Sequence, residues 1–154
     1  MVNPVPEGYH TVTPYLIVGG GAKALEFYAR AFGAIEHERL QDGSGKIHHA
    51  EVVIGTSRVM LADEHPEVGA LSPTTVGGSP ISLHVYVEDV DAVVDRAVAA
   101  GAKLTRPVAD QFYGDRVGGI TDPFGHRWFI ATRKEDLTSE EIRRRAAAQS
   151  APAS

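Results

Sequence analysis

The sequence predicts an α+β fold built from two copies of one βαβββ module. A strand-like run, a helix-like stretch and a Gly-Ala pair occur twice in the same order, and Arg58–Ala62 matches Arg127–Ala131 at an offset of 69 residues. The length of 154 residues suits either one domain or two half-size modules that share a core, because domains run to about 100–150 residues. The internal repeat favours two modules.

The first module begins with a strand-like run over Thr11–Val18. The helix that follows is predicted over Ala22–Phe32, because its apolar residues recur at helical spacing and Gly33 suits a left-handed C-terminal cap. The joint Gly19-Gly-Gly21 lacks the spacing of a phosphate-binding loop, so we expect a flexible connection there. Three further strands are predicted over Ile35–Gln41, Lys46–Ile54 and Arg58–Ala62.

The second module repeats this order. Its strand is predicted over Ile81–Val87 and its helix over Val90–Ala100, and later strands over Lys103–Pro107, Arg116–Thr121 and Arg127–Thr132. His65–Ser79, rich in Pro and Gly, is expected to be the linker, and the capping box Thr138-Ser-Glu-Glu141 predicts a last helix over Ser139–Gln149. We therefore expect one domain over residues 1–135, with modules at about 9–65 and 80–133, followed by a helix and tail over 136–154.

Composition excludes several classes of function. The chain has 15 Lys+Arg against 20 Asp+Glu, a formal net charge of −5, which argues against nucleic acid as a partner. The absence of cysteine excludes disulfides, thiolate-bound metals and a thiol nucleophile. No apolar run approaches the roughly 20 residues needed to cross a bilayer, and the N-terminus does not resemble a signal peptide, so we expect a cytoplasmic protein without a membrane partner.

Several motifs together resemble the vicinal oxygen chelate superfamily, which includes glyoxalase, bleomycin-resistance and dioxygenase proteins. They are Glu26-Phe-Tyr28, Phe32-Gly33 and the turn Asp122-Pro-Phe-Gly-His126. His49-Ala-Glu51 and Leu61-Ala-Asp-Glu64 are most similar to its PhnB-like branch. The resemblance implies a curved mixed sheet around a cavity, a small organic ligand and a homodimer with ligand sites between two chains.

The resemblance also implies four metal-ligand positions, which fall on Thr13, Met60, Ser82 and Phe129. None of these is a His, Asp or Glu, and hard divalent cations require carboxylate or imidazole donors. We therefore expect no cofactor. The alternative is a displaced site for Zn, Ni, Mn or Fe, with His49, Glu51, Glu64 and His84 as candidate ligands.

Residues two apart on a strand share a face, so the cavity wall is predicted from strand register. It combines apolar walls with a few polar groups, as small-molecule sites do. The predicted ligand-binding residues are Thr13, Tyr15, His49, Glu51, Met60, Ser82, His84, Tyr86, Tyr113, Arg127 and Phe129. His126 is expected to be a structural anchor on the helix-facing side.

Three functional hypotheses follow, and the sequence assigns no catalytic residue. The first is a metal-independent binding protein for an aromatic or cationic compound, similar to bleomycin-resistance proteins. The second is a glyoxalase-like lyase, an epimerase or a dioxygenase that uses the displaced metal. The third is metal-free acid–base catalysis by His84, or by His49 with Glu51, because histidine titrates near neutral pH.

Overall fold

The computed structural model describes residues 1–150; the end of the predicted tail, residues 151–154, lies outside them. The first module consists of β1 (Tyr15–Val18), α1 (Gly21–Phe32), β2 (Ile35–Gln41), β3 (Ile47–Ile54) and β4 (Ser57–Asp63). The second consists of β5 (Ser82–Tyr86), α3 (Val90–Ala99), β6 (Lys103–Asp110), β7 (Asp115–Thr121) and β8 (Arg127–Arg133). A 3₁₀ turn (Pro66–Val68) and the short helix α2 (Pro73–Val76) lie between them, and α4 (Ser139–Ser150) follows.

Each module forms its own four-stranded mixed sheet, and the two sheets have the same topology. The strand orders are β1-β4-β3-β2 and β5-β8-β7-β6. In each, the opening strand pairs in parallel with the last strand, and the other neighbours are antiparallel. The predicted α+β class and repeated βαβββ order are confirmed.

Two strand boundaries differ from the prediction by more than two residues. β1 begins at Tyr15 rather than Thr11. The reason is Pro14, which has no N–H for a ladder and contributes only its carbonyl, to Met60 N at 2.9 Å. β6 continues past Pro107 to Asp110 because irregularities in its register with β7 accommodate the proline and restore pairing at Ala109.

The core lies between each sheet and its helix and continues where α1 packs against α3. Alternate residues of the strands point to the helices and are buried, among them Leu16, Leu61 and Ile130. Within residues 1–150, most of the opposite face of each sheet is left uncovered, as Tyr15 (47% exposed) and Tyr86 (66% exposed) show. These two uncovered faces hold most of the predicted ligand-binding residues.

The turn before β8 joins the two modules. The carboxylate of buried Asp122 accepts hydrogen bonds from Tyr28 Oη of α1 at 2.6 Å and from Trp128 Nε1 at 2.9 Å. The backbone N–H groups of Phe124 and His126 donate to its other oxygen. His126 Nε2 lies 2.8 Å from the Ile17 carbonyl oxygen, so it anchors one module to the other. This side chain bridges the modules as a structural element.

The glycine joint before α1 is held in place rather than free. Asp63 Oδ1 accepts from the N–H groups of Gly20 and Gly21, both at 2.8 Å, and Oδ2 accepts from Ile47 N at 2.8 Å. A Cβ at Gly21 would come within 2.7 Å of the Ile47 side chain, so glycine permits this close approach. The joint was predicted to be flexible; the structure instead ties it to β3 and β4.

Candidate functional site

Nine of the eleven predicted ligand-binding residues lie on the two uncovered sheet faces; Thr13 and Tyr113 lie outside the strands. The first-module face, turned away from α1, carries Tyr15, His49, Glu51 and Met60. The second-module face, turned away from α3, carries Ser82, His84, Tyr86, Arg127 and Phe129. The strand registers align one row of side chains across each face: Tyr15, Met60, Glu51 and Glu38 on the first, and His84, Phe129, Gly119 and Arg106 on the second.

A hydrogen-bonded chain of three side chains lies on the first-module face. Tyr15 Oη is 2.8 Å from His49 Nδ1, and His49 Nε2 is 3.1 Å from Glu51 Oε2. Tyr15 is half-exposed, whereas the side chains of His49 and Glu51 are 25% and 17% exposed. Burial raises the pKa of Tyr15 above its ordinary value, so the phenol is protonated at neutral pH. The phenol of Tyr15 is therefore the exposed end of this hydrogen-bonded set of side chains, and a ligand on this face can contact it.

The second-module face is an aromatic surface beside cationic groups. The His84 ring centroid lies 4.9 Å from that of Tyr86 and 6.3 Å from that of Phe129. Arg127 pairs in register with Ser82 and is exposed, and Arg106 lies in the same row as Phe129. Rings in this arrangement offer stacking surface to a planar ligand, and guanidinium groups bind carboxylates or polarised carbonyls.

The central rows of the two faces differ in charge. Glu51 and Glu38 face each other across β3 and β2, while Gly119 and Arg106 occupy the corresponding places in the second module. Arg58 also belongs to the first-module face by register. Its guanidinium is covered by the Tyr9 ring at 5.2 Å, and its Nη1 is buried without a hydrogen-bond partner among residues 1–150. The exposed charges of the rows are thus acidic on the first face and basic on the second.

An open groove of about 1250 Å³ runs along the edge strand β5. Its other walls are the segment before β1, the turn between β3 and β4, and Ile142 of α4. Of the predicted set it brings together Thr13, His84, Tyr86 and Tyr113. Tyr15, His49, Glu51 and Met60 lie elsewhere, on the first-module face, whereas Ser82, Arg127 and Phe129 adjoin His84 on its own sheet without lining the groove.

The four candidates for a displaced metal site are not brought together within the chain. His49 and Glu51 lie on the first sheet and His84 on the second. Glu64 accepts hydrogen bonds from Ser72 N at 2.7 Å and from the Thr75 hydroxyl, and these bonds lower its pKa. Throughout residues 1–150, no three His, Asp or Glu side chains are grouped so that they can hold a metal ion.

Glu64 therefore has a structural role at the start of α2 in this chain, and its role as a metal ligand stays a prediction. The side chain satisfies the backbone N–H of Ser72, next to the first residue of the helix, as carboxylates at helix N-termini do. A displaced metal site would need His49, Glu51, Glu64 and His84 as donors, and these four side chains do not converge within residues 1–150.

Sequence reasoning missed three features of this site: the contact of Tyr15 with His49, and the row positions of Glu38 and Arg106. The same-face rule placed His49 with Glu51, but it does not show which residues of neighbouring strands lie side by side. The offset of 69 residues, which matches Tyr15 to His84 and Met60 to Phe129, did predict equivalent positions: Tyr15 lies beside Met60 in the first sheet as His84 lies beside Phe129 in the second.

The helices of the described chain, residues 1–150, do not include one with the length and apolar character needed to cross a membrane.

A comparison with protein families matches residues 9–130 to the model described as the Glyoxalase/Bleomycin resistance protein/Dioxygenase superfamily. Among curated proteins, the chain is similar to Rv0887c of Mycobacterium tuberculosis H37Rv, a protein of uncharacterised activity. The two are 39% identical over 134 residues, which is 85% of this chain and 79% of the relative.

Solved structures show the same fold. Protein PA1353 from Pseudomonas aeruginosa is 25% identical, with a TM-score of 0.65, and the match covers 82% of this chain and 99% of that one. The PhnB protein from Bacillus cereus is 18% identical, with a TM-score of 0.59 and coverage of 80% and 99%, respectively. The second likeness concerns the fold alone.

Proposed function

Since the chain belongs to the glyoxalase/bleomycin resistance protein/dioxygenase superfamily, we propose that it binds a small organic molecule without a resident metal. The observation that carries this proposal is the pair of uncovered sheet faces. Each presents aromatic surface together with hydrogen-bonding side chains, the mixture that small-molecule sites use for affinity and orientation. We also assign the chain to the PhnB-like branch, on the motifs His49-Ala-Glu51 and Leu61-Ala-Asp-Glu64.

The complete site in this proposal forms between two copies of the chain. Each sheet face is open on the side away from its helix, so one face alone covers only one side of a ligand. The charges of the central rows, Glu38 and the partly buried Glu51 on one face and Arg106 on the other, are complementary. A homodimer that sets the first-module face of one chain against the second-module face of its partner covers both and encloses a ligand cup.

The ligand class follows from the side chains that line such a cup. His84, Tyr86 and Phe129 favour a planar aromatic ring, because stacked and tilted ring contacts stabilise aromatic ligands. The carboxylates of the first-module face favour a cationic or uncharged group on the same ligand. We therefore propose an aromatic ligand with a cationic or neutral polar substituent.

Ligand-induced changes in melting temperature test this function. A panel of aromatic amines, aromatic carboxylates and aromatic antibiotics is screened against the full chain, with and without EDTA. We expect several aromatic amines to raise Tm equally in both conditions. Phe129→Ala abolishes the shift, whereas Val98→Ala, at an exposed position on α3 remote from both faces, retains it.

Two outcomes count against the proposal. If no compound in the panel changes Tm, small-molecule binding is wrong. If EDTA removes the shift and a divalent metal restores it, the metal-dependent alternative replaces it. The molar mass in solution, measured by light scattering, separately tests the homodimer, and a monomer at all concentrations contradicts the shared cup.

A further inference from the structure

We propose that Tyr15, His49 and Glu51 form a proton-transfer relay in which Tyr15 Oη is the acid–base group that contacts a bound molecule. This activity goes beyond binding, and it rests on the geometry of the first-module face rather than on the dimer. His49 and Glu51 are positioning residues that act through Tyr15.

The direction of the hydrogen bonds follows from the partners. The Glu51 carboxylate accepts only, so His49 Nε2 carries the proton of the 3.1 Å bond. In the neutral imidazole, His49 Nδ1 is then unprotonated and accepts from the Tyr15 hydroxyl at 2.8 Å. The phenol proton is thus directed to a base, while the lone pairs of Tyr15 Oη remain available on the exposed side.

This arrangement allows a balanced transfer of protons. A ligand O–H or C–H gives its proton to Tyr15 Oη as the phenol proton moves to His49 Nδ1. The imidazolium that forms is stabilised by the neighbouring carboxylate, as in other carboxylate–histidine pairs. Reversal of both transfers returns a proton to the ligand at the same or an adjacent atom, which is the chemistry of an isomerase or epimerase.

The charges around the relay select the kind of ligand. Glu38 of β2 lies beside Glu51 in register, and Arg58 of β4 is covered by Tyr9. The row that contains Tyr15 and Glu51 therefore carries two carboxylates and no exposed cation, which disfavours an anionic group on a ligand that lies along it. We infer that the substrate presents an uncharged or cationic carbonyl or hydroxyl compound to Tyr15.

The second module supplies a matched control. His84 occupies the position of Tyr15 there, with Phe129 and Gly119 beside it in the row. Tyr86 is more exposed than Tyr15, and its ring lies 4.9 Å from that of His84, yet no hydrogen bond joins the two within residues 1–150. An exposed tyrosine without a hydrogen-bonded histidine can thus be compared with the tyrosine that has one.

Aryl sulfonyl fluorides test the relay without knowledge of the substrate. The tyrosine oxygen bonds to sulfur, the S–F bond breaks, fluoride leaves and the phenol proton passes to the base. The probes are benzenesulfonyl fluoride, its cationic 4-(2-aminoethyl) derivative and its anionic 4-carboxy derivative, with labelled peptides quantified by mass spectrometry. We expect Tyr15 to react at least about tenfold faster than Tyr86, because a positioned base accelerates such steps by roughly 10²–10⁴-fold.

Variants identify the base. His49→Gln should reduce the rate at Tyr15 to that at Tyr86, and Glu51→Gln should give an intermediate rate. Acidification from about pH 8 to about pH 5, where imidazoles gain a proton, should slow Tyr15 more than Tyr86. The cationic and neutral probes should react faster at Tyr15 than the anionic one. Circular dichroism and the unchanged rate at Tyr86 establish that each variant is folded.

The relay is wrong if Tyr15 reacts no faster than Tyr86, or if His49→Gln leaves the rate and its pH dependence unchanged. Faster labelling by the anionic probe overturns the inferred ligand charge. These outcomes are independent of the melting-temperature screen, so a chain that binds no compound in the panel can still show the relay, and the reverse also holds.

Discussion

The two modules share topology but anchor the start of their helices with different chemistry. In the first, the Asp63 carboxylate accepts from three backbone N–H groups, at Gly20, Gly21 and Ile47. In the second, Thr132 stands 69 residues later, where its hydroxyl accepts from Val90 N at 2.9 Å and donates to the Val87 carbonyl at 2.8 Å. At this position the same fold therefore accommodates a carboxylate in one copy and a hydroxyl in the other, although α3 also has the Asp89 carboxylate at its N-cap, which accepts from Ala92 N at 3.1 Å.

The sheet faces differ in the same manner. Position for position, Tyr15 corresponds to His84, Met60 to Phe129 and, in the row, Glu38 to Arg106. The helix-facing sides of both sheets remain apolar, because each must bury its helix. The repeat thus conserves the core pattern while the uncovered faces diverge, which is where a function distinct to each module can reside.

The largest effect is expected at the turn that only the second module has. Asp122→Ala leaves the buried Tyr28 hydroxyl and Trp128 indole N–H without their acceptor. Unpartnered buried groups and lost charged hydrogen bonds together predict a loss of about 3–5 kcal/mol in the free energy of unfolding. Urea denaturation measures it. Asp136→Ala, at an exposed carboxylate, is the control, and equal effects of the two contradict the role of Asp122 as the bridge.

The helix anchors should rank next. Asp63→Ala is expected to destabilise the chain by about 2–3 kcal/mol, because three backbone donors lose a charged acceptor. Thr132→Val retains shape but removes one accepted and one donated bond, with an expected cost of about 1 kcal/mol. Chemical denaturation of both variants compares them directly. A larger loss of unfolding free energy for Thr132→Val than for Asp63→Ala contradicts the expected order of the two anchors.

Alkaline pH provides a third comparison through Tyr28. Burial and the neighbouring Asp122 raise its pKa well above the ordinary value of 10.0. A raised pKa means that the protonated phenol stabilises the fold fully below pH 10 and that this contribution is lost progressively as the pH rises toward the raised value. The slope is up to about 1.4 kcal/mol per pH unit. Tyr28→Phe should flatten the decline measured between about pH 9 and pH 11; an unchanged slope assigns the decline to other groups.

The smallest effect is expected at an exposed ion pair. Arg116 of β7 donates to Asp91 of α3 at 2.8 Å and to Asp110 at 3.2 Å. Water and salt screen such pairs, so Arg116→Gln should lower Tm less than Thr132→Val does. The difference from the parent chain should shrink further in about 0.5 M NaCl. A Tm decrease as large as that of Asp63→Ala contradicts this assignment.

Much of the fold was predictable because periodicity and turn residues are local signals. The bounds of β2 were matched in full, and most other elements within a residue or two. The errors occurred where pairing with a neighbouring strand determines the boundary of an element, as at Pro14 and Pro107. Pairing between strands also determines that Tyr15 meets His49, whereas Glu64 meets Ser72 through the segment between β4 and α2. Sequence spacing gives the face of a side chain but not its partner on the next strand.

The division of the site residues between two sheets has a genetic consequence. In the proposed dimer, each cup takes one face from each chain, so Tyr15→Phe and Phe129→Ala impair different walls of the same cup. Each variant alone damages both cups. When the two are coexpressed, a mixed dimer contains one cup with both damaged walls and one cup with neither. Two defective alleles would then complement each other in one cell.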